Sequence, residues 1–362
     1  MNREWGIAAV AACIMLTAGC GDQYGSEEIA ASEENDSAVN ENAENETKEQ
    51  DWFNEIRDEA DSYFSETEFE TVMPEELYDQ HIFDREDETD ELIVDVRDLG
   101  SFTEGNIPGS VNIPFGQSGN YEQMMQLPKD RPLTVVCFSG HTASQFAGTL
   151  NTLGYDAKPL QYGMGGYTSD EEHGADIPAE DFGFPTVTDG YEAEGNYEHS
   201  SIMYEDDLAI EEVILSQSAS FLEAELANVI PAPEVKEIVD ETNLDEHQLI
   251  DIRSEDHYEA GHIEEAVNIP YHTLFTDSGL SDVDPDRQAV IIGYNGHDAS
   301  QVSRALNHLN IEAVPMMFGM SIWTDDETLL GEHQFDFTET KTYPVQPLQY
   351  DPDAEEDEAG CS

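Results

Sequence analysis

Two stretches decide the fold: LIVDVRDLGSFTEGNIPGSVNIPF at residues 92–115 and LIDIRSEDHYEAGHIEEAVNIPY at residues 249–271. They follow one pattern, in which five residues recur in the same order. Each pair is separated by 156 positions: Asp95 and Asp251, Arg97 and Arg253, Gly105 and Gly261, Asn112 and Asn268, Pro114 and Pro270. A second pair of stretches keeps this spacing, VVCFSGHTASQFAGTLNTLGY from Val135 and IIGYNGHDASQVSRALNHLNI from Ile291. Chance similarity would not hold one offset across both segments, so the chain contains two copies of one domain.

Each copy alternates short apolar strands with an amphipathic helix. LIVDV (92–96) and LTVVC (133–137) are branched, nearly continuous apolar runs, which is typical of buried parallel strands. The helix that follows has apolar residues at helical spacing and ends at Gly154. A helical segment also precedes each copy, at 51–64 and 208–226. The pattern predicts an α/β fold with two domains, each a parallel sheet flanked by helices.

The chain is acidic along its whole length. Its 362 residues include 13 Lys+Arg and 81 Asp+Glu, which gives a formal net charge of −68. Such a surface repels nucleic-acid phosphates and anionic lipid headgroups, so we expect no nucleic-acid partner and membrane contact only through a lipid anchor. This uniform acidity predicts a high-salt habitat, because at molar salt the Debye length falls to about 3 Å and self-repulsion is screened.

The first 20 residues have the pattern of an export leader. Arg3 precedes an apolar run from Trp5 to Gly19, which is shorter than a membrane-spanning helix requires. The stretch L-T-A-G-C resembles a lipobox and predicts lipidation of Cys20, with residues 1–19 as the signal peptide. An uncleaved anchor and an ordinary cleaved signal remain as alternatives. All three place the bulk of the chain outside the cytoplasm, and lipidation places it at the cell surface.

Composition predicts the remaining boundaries. Residues 20–50 are rich in Glu, Asn, Ser and Ala and have few large apolar groups, which predicts an acidic disordered spacer. The rest of the chain divides into a first domain at 51–182, a linker at 183–204, a second domain at 205–335 and an acidic tail at 336–362.

The cysteines are too few for a disulfide framework. Of the four, Cys13 lies in the leader, Cys20 in the lipobox and Cys361 one residue from the chain end, where an exposed tail thiol is expected. Cys137 is therefore the candidate nucleophile. The His residues are scattered without metal-ligand spacing, so the sequence predicts neither a metal site nor a cofactor.

Cys137 stands where a predicted strand ends and a helix begins. Ligands of parallel α/β sheets gather at the carboxyl ends of the strands, and the free N–H groups of a helix N-terminus attract anions. The same field predicts a lowered thiol pKa. Gly140 permits a tight turn that brings several amides toward the sulfur. This arrangement suits a nucleophilic thiolate and a persulfide formed on it.

The motifs together resemble the rhodanese-like family of sulfurtransferases. The resemblance covers roughly residues 70–170 and 230–325, with D-V-R, G-x-I-P-G-S-x-N-I-P, L-P-K-D, C-x-x-G-x-T and G-M-G-G-Y in the first copy. It implies two tandem rhodanese-like domains and ping-pong catalysis, in which Cys137 takes sulfur from thiosulfate or a persulfide and passes it to cyanide or a thiol. It also assigns substrate binding to the loop that follows the cysteine: Phe138, Ser139, Gly140, His141, Thr142 and Ala143.

The loop departs from the family pattern at its second position. Many members have Arg directly after the cysteine, whereas this chain has Phe138, so a cation that would stabilise an anionic donor is missing. The phosphatases that share the fold use a longer loop closed by Arg, but the sixth residue after Cys137 is Ala143 and the loop contains no Arg. Phosphate-ester hydrolysis is therefore disfavoured.

The second copy lacks the nucleophile. Gly293 replaces Cys137, and Asp298 stands at the position of Thr142, where its charge would repel an anionic donor. We expect this copy to be inactive and to support the first. Features that recur without the nucleophile are expected to be structural, which applies to His141 and to a buried ion pair between Asp95 and Arg97.

Two other functions remain open for Cys137. The protein could be an extracytoplasmic sensor or binding module that captures sulfide, sulfane sulfur or an oxidant without turnover. It could also be a thiol–disulfide partner in which Cys137 pairs with Cys361 or with another protein. Turnover with cyanide separates the sulfurtransferase from both.

Overall fold

The structure is a computed structural model that describes residues 49–347, except 84–90, 171, 176, 179, 194, 206, 225, 242 and 334–339. The predicted signal peptide (1–19), Cys20, most of the predicted spacer and Cys361 lie outside the described residues. Among the described residues, no helix is long and apolar enough to cross a bilayer.

In the described residues, the first repeat and the segment before it contain five strands and six helices. In chain order these are β1 (Glu49–Asp51), α1 (Phe53–Phe64), α2 (Pro74–Leu77), β2 (Leu92–Asp95), α3 (Leu99–Glu104), β3 (Val111–Asn112), α4 (Tyr121–Met124), β4 (Leu133–Val136), α5 (His141–Thr152), β5 (Ala157–Pro159) and α6 (Gly163–Tyr167). A π-helical turn (Tyr78–Phe83) follows α2, and a 3₁₀ turn (Phe115–Gln117) precedes α4.

The second repeat has the same order of elements, with one additional short helix. Its elements are β6 (Met203–Glu205), α7 (Ile210–Glu223), α8 (Ala232–Asp240), β7 (His247–Asp251), α9 (Glu255–Ala260), β8 (Val267–Asn268), α10 (Tyr271–Leu274), α11 (Asp277–Leu280), β9 (Gln288–Ile292), α12 (His297–His308), β10 (Ala313–Pro315) and α13 (Gly319–Trp323). Two 3₁₀ turns follow, at Glu327–Leu329 and Gly331–His333.

Each repeat is built on a four-stranded parallel sheet. The strand order is β3-β2-β4-β5 in the first and β8-β7-β9-β10 in the second. The registers correspond, since Val94 pairs with Val135 and Ile250 pairs with Ile291. All four residues are fully buried, because helices cover both faces of a parallel sheet. The predicted fold class is confirmed.

The two repeats pack through the helices that follow their central strands. Nearly every residue of α5 and α12 is buried, since each helix covers its own sheet with one side and contacts the other helix with the opposite side. The two helices approach closely at Gly148, where a Cβ atom would lie 3.0 Å from the Cα of Gln301. The described residues therefore form one compact unit.

The helix that precedes each repeat packs against the opposite repeat as well as its own. On α1, the ring of Phe64 stacks on Phe275 of the second repeat at 4.8 Å between centroids. On α7, the Ser218 hydroxyl lies between the repeats and accepts a 2.7 Å hydrogen bond from Arg304. The guanidinium of Arg304 also donates to Ser118 of the first repeat at 2.9 Å. The helices α1 and α7 thus bridge the two repeats symmetrically.

The chain that leaves each repeat docks on the other one. We call residues 182–187 the first strap and residues 341–346 the second strap. In the first strap, the amides of Phe182 and Phe184 donate to carbonyl oxygens of α13 in the second repeat, at 2.9 and 2.8 Å. In the second strap, the amides of Lys341 and Tyr343 donate to carbonyl oxygens of α6 in the first repeat, at 3.0 and 3.2 Å. The straps are exchanged between the repeats.

The exchanged straps lie in segments that composition predicted to be linker and tail. The first strap runs into the predicted linker 183–204, which bridges to the second repeat at Val187 and His262. The second strap lies in the predicted tail 336–362. At the predicted domain boundaries, β1 (49–51) pairs antiparallel with β6 (203–205). Local composition does not reveal these partners because they are distant in sequence.

Candidate active site

Cys137 directly follows β4, and the loop from Cys137 to Gly140 leads into α5. Gly140 adopts φ +93°, a left-handed conformation that favours glycine, and this turn points its amide back at the cysteine. The Gly140 N–H donates to Cys137 Sγ at 3.0 Å. The cysteine is only 2% exposed. The sulfur therefore sits in a closed cradle of loop amides at the start of a helix.

Burial raises the pKa of the Cys137 thiol above its ordinary value. Hydrogen bonds from the Thr142 hydroxyl and from the amides of Ala143, Gly140 and Ser139 act in the opposite direction, but they do not outweigh the desolvation. The prediction of a lowered pKa was therefore wrong. The helix terminus and the amides are where the sequence placed them, but the packing around them excludes the water that would stabilise a thiolate.

The back wall of the cradle is the N-terminal turn of α6. The amide of Met164 donates to the carbonyl oxygen of Cys137 at 2.8 Å, and the amide of Gly165 donates to that of Phe138 at 2.9 Å. Gly163 has φ +55° and lies so close that a Cβ atom would be 2.3 Å from the Cys137 carbonyl oxygen. The second strap binds the other end of α6, so the first-repeat loop is supported by chain from beyond the second repeat.

We expect Gly163→Ala to destabilise the protein by about 2–4 kcal/mol and to disturb the loop. The methyl group would meet backbone atoms of Cys137 and Gly140, which cannot move aside as a flexible side chain does. Gly109→Ala is the matched control, since Gly109 has φ +91° with nothing within 4 Å of the added Cβ. Denaturant unfolding measures both. Equal losses for the two variants would show that α6 does not clamp the loop.

Asp95 and Arg97 form a buried ion pair beside the loop. The Arg97 Nη2 atom lies 2.7 Å from the Asp95 carboxylate and donates to the Gly105 carbonyl oxygen at 2.6 Å. The guanidinium lies 5.4 Å from the centre of the Phe138 ring. Because its N–H donors bind Asp95 and the Gly105 carbonyl oxygen, Arg97 supports the loop by packing against Phe138. Asp251 and Arg253 repeat the pair in the second repeat, with 2.6 Å between them.

The other loop residues divide between the mouth and the interface. Phe138 is 39% exposed and forms the outer surface of the loop. Of the next two residues, Ser139 has its hydroxyl 3.1 Å from His141 Nδ1, and Gly140 donates its N–H to the sulfur. The His141 ring points away from the sulfur, toward the second repeat, where its Nε2 accepts a 2.9 Å hydrogen bond from the amide of Phe318. Ala143 is fully buried in the first turn of α5.

The two loop histidines face one another across the interface of the repeats. The rings of His141 and His297 are parallel, with 6.0 Å between centroids, and each is 2% exposed. Burial lowers the pKa of His141 to about 4 and that of His297 to about 3. Their surroundings are the rings of Tyr162 and Phe318, which offer no counter-charge. Both imidazoles are neutral at pH 7.

We expect the protein to lose stability as the pH falls from about 6.5 toward 4. A folded pKa below the unfolded value means that the stabilisation is present above pH 6.5 and is lost as the rings protonate. The measurement is denaturant unfolding against pH in molar salt, which screens the carboxylates. The double variant His141→Gln/His297→Gln should reduce the slope over this range, with the remainder due to buried His308, and an unchanged slope would contradict the assignment.

In the second repeat, a carboxylate fills the place of the missing thiol. A Cβ atom on Gly293 would lie 2.2 Å from Asp298 Oδ1. The carboxylate accepts hydrogen bonds from the amides of Tyr294 and Ala299, both at 2.8 Å. The sequence predicted that Asp298 would repel a donor, but its side chain is folded into the cradle itself. Its oxygens accept the loop amides at the place where a thiol would lie, and burial raises the pKa of the carboxyl group.

Sequence reasoning missed the residues that the second repeat contributes to the first. His297 touches the Cys137 loop, and the second strap packs Tyr343 against Tyr167 of α6, with 5.4 Å between ring centroids. A signal for the straps was present: an aromatic residue precedes proline at Phe184 and at Tyr343, 159 rather than 156 positions apart. For His297 the signal was its recurrence, which was interpreted as a purely structural feature.

One cluster of metal-ligating side chains occurs among the described residues. Ligand atoms of Asp170, Glu172 and His173 lie within 4.8 Å of one another on the surface. His173 Nδ1 lies 3.1 Å from the Asp170 carboxylate.

Comparisons with known proteins identify the family of both repeats. A family model described as the rhodanese-like domain matches residues 74–171 and 231–325. The thiosulfate sulfurtransferase GlpE of Pseudoalteromonas translucida (strain TAC 125) is 33% identical over 84 residues, which are 23% of this chain and 75% of that protein.

Solved structures with rhodanese domains are also similar to this chain. A rhodanese-like domain protein from Staphylococcus aureus has 21% identity and a TM-score of 0.25, covering 28% of this chain and 95% of its own. The thiosulfate sulfurtransferase from Pseudomonas aeruginosa has 16% identity and a TM-score of 0.26, covering 85% of this chain and 53% of its own.

Proposed function

Because the chain belongs to the rhodanese-like family, we propose that its first domain transfers sulfane sulfur through a persulfide on Cys137. The observation that carries this proposal is the position of the Cys137 sulfur, 3.0 Å from the Gly140 amide at the start of α5. Backbone N–H groups in this arrangement stabilise negative charge on sulfur and cannot be removed by titration.

The proposed reaction has two displacement steps. The Cys137 thiolate attacks the outer sulfur of a donor such as thiosulfate, the S–S bond of the donor breaks, and sulfite leaves with the bonding electron pair. A Cys–S–S⁻ persulfide remains in the cradle. Cyanide or a thiolate then attacks its terminal sulfur, which gives thiocyanate or a new persulfide and returns the Cys137 thiolate. No net oxidation is required.

The test is sulfur transfer from thiosulfate to cyanide by the part of the chain from Glu49 onward, at low and at molar salt. Both salt concentrations are needed because the chain is strongly acidic, with a net charge of −68 over its full length, and this charge repels a dianionic donor in dilute buffer. Thiocyanate formation with ping-pong kinetics is the expected result. A folded protein that forms no thiocyanate at either salt concentration would refute turnover.

The composition of the loop predicts a low kcat/KM for thiosulfate, which a substitution in the loop should raise. Phe138 occupies the exposed position where a cation would meet the donor, and the Arg97 guanidinium is already bound to Asp95. We expect Phe138→Arg to raise kcat/KM for thiosulfate roughly tenfold, and Phe138→Leu, the neutral control, to leave it near the wild-type value. With a neutral organic persulfide as donor, the Arg and Leu variants should have the same kcat/KM. Equal values for Arg and Leu would refute a role for charge at this position.

A second function is favoured by the burial of the thiol. Burial raises the pKa of the Cys137 thiol, which disfavours the thiolate that turnover would need. A module that captures sulfane sulfur without turnover would tolerate this. Mass spectrometry distinguishes the two, since capture alone adds one sulfur atom to Cys137 without production of thiocyanate.

For location, we propose an extracytoplasmic, cell-surface protein that is anchored through a lipid on Cys20. The support is the L-T-A-G-C stretch and the apolar run before it. Incorporation of a labelled fatty acid that is lost in Cys20→Ala would support the proposal. Release of unlabelled protein into the medium would refute it.

A further inference from the structure

His297 belongs to the second repeat but touches the cradle of Cys137 in the first. A Cβ atom on Gly140 would lie 2.3 Å from His297 Cε1, so the ring packs directly on that glycine. His297 Nδ1 is 2.8 Å from the Ser144 hydroxyl, and the amide of Tyr162 donates to Nε2 at 3.4 Å. The ring thus contacts residues on both sides of the cysteine loop.

The hydrogen bonds determine the tautomer of His297. The Ser144 hydroxyl donates to the Gly140 carbonyl oxygen at 2.8 Å, so toward His297 it acts as an acceptor and Nδ1 carries the proton. The other nitrogen is then free to accept from the Tyr162 amide. This arrangement requires a neutral ring, and burial keeps it neutral.

The contacts connect His297 to the sulfur by two short routes. On one side, Gly140 is the residue whose N–H lies 3.0 Å from Sγ, and its carbonyl oxygen is held by Ser144. On the other side, Tyr162 precedes Gly163, which packs on the carbonyl group of Cys137. Movement of the His297 ring would therefore loosen the packing on Gly140 and on Tyr162 at the same time.

We propose that His297 is a positioning residue that holds the Cys137 loop closed around the sulfur. The second repeat has no thiol of its own, yet it retains this histidine. His141 makes the mirror contact, with Nε2 2.7 Å from the Cβ position of Gly296. The recurrence in an inactive copy is explained if His297 acts on the neighbouring domain. The catalytic consequence rests on the proposed function, whereas the closure of the loop does not.

The experiment compares two rates in His297→Ala. If the ring holds the loop, its loss exposes a sulfur that is now misplaced, so alkylation of Cys137 by iodoacetamide becomes roughly tenfold faster. Sulfur transfer becomes roughly tenfold slower, because the amides no longer converge on the reacting atom. Mass spectrometry of the Cys137 peptide separates its alkylation from that of Cys361.

The matched control is Gln301→Ala, one turn further along α12. Gln301 is buried at the same interface, where it accepts a hydrogen bond from Tyr63 and contacts Gly148, but not the Cys137 loop. The Gln301→Ala variant should have a lower melting temperature but unchanged rates of Cys137 alkylation and sulfur transfer. Ser144→Ala removes only the hydroxyl between His297 and Gly140 and should shift both rates in the same directions as His297→Ala, by less.

Unchanged alkylation in a folded His297→Ala would overturn the proposal. If that variant does not fold, Ser144→Ala decides in the same way. If the wild type transfers no sulfur, the proposed function fails on that result alone. Faster alkylation in His297→Ala would then still support the closure of the loop by the second repeat.

Discussion

Cys137→Ser is expected to abolish sulfur transfer, with a loss of roughly 10³-fold or more. In the proposed mechanism the Cys137 sulfur forms the covalent link to the transferred atom, and a serine hydroxyl at this position has no comparable nucleophilicity. Among the described residues, Cys137 is the one free cysteine. Thiocyanate production from thiosulfate and cyanide is the measurement, in molar salt.

The same variant should remain folded, which makes the loss interpretable. A serine hydroxyl can accept the Gly140 N–H in place of Sγ, and the backbone bonds from α6 do not involve the side chain. We therefore expect a stability change below about 1 kcal/mol.

Cys361→Ser is the matched control for this experiment. Cys361 lies beyond the described residues, and full activity of its Ser variant is expected. Loss of activity in both variants would instead show that Cys361 also takes part in the transfer. Sulfur transfer by Cys137→Ser at the wild-type rate would refute the persulfide mechanism.

The second large effect is gain of activity in the other domain. In a Cys137→Ser background, Gly293→Cys alone should stay inactive, whereas Gly293→Cys/Asp298→Thr should transfer sulfur. The reason is spatial: the new Cβ would lie 2.2–2.4 Å from the Asp298 carboxylate, which already accepts the loop amides. Removing the carboxylate frees both the space and the N–H donors.

The restored activity should fall within roughly 10²-fold of the first domain. The mouth of the second loop is more crowded, since His333 stacks on Tyr294 at 4.2 Å between centroids and the Tyr294 hydroxyl is 2.6 Å from His257 Nδ1. Asp298→Thr alone is the control and should show no transfer. Activity of the Gly293→Cys single variant, or silence of a folded double variant, would show that Asp298 does not occupy the thiol site.

Much of this fold was predictable because its signals are local or periodic. Branched apolar runs indicate buried parallel strands, helical spacing marks α5, and a constant offset of 156 reveals the second copy. The position of Cys137 between strand and helix follows from the same signals. These features depend on residues that are neighbours in the chain or equivalent in the repeat.

Other features depend on packing between distant segments. The exchanged straps pair residues that are far apart, such as Gln346 with Asn106. No local sequence pattern predicts a partner so distant in the chain. Composition alone predicted that these segments are a linker and a tail. The role of Asp298 is similar, since charge alone predicted repulsion and only the turn of its loop puts the carboxylate in the cradle.

The amino-acid sequence by itself determined the duplicated α/β architecture, the presence of a cysteine in the first of the two repeated loops and its absence from the second. Tertiary structure alone decided the sign of the Cys137 pKa shift and the placement of His297 against Gly140. The physical reason is that desolvation and close contact depend on what surrounds a group in space. Here much of that surrounding comes from the other repeat.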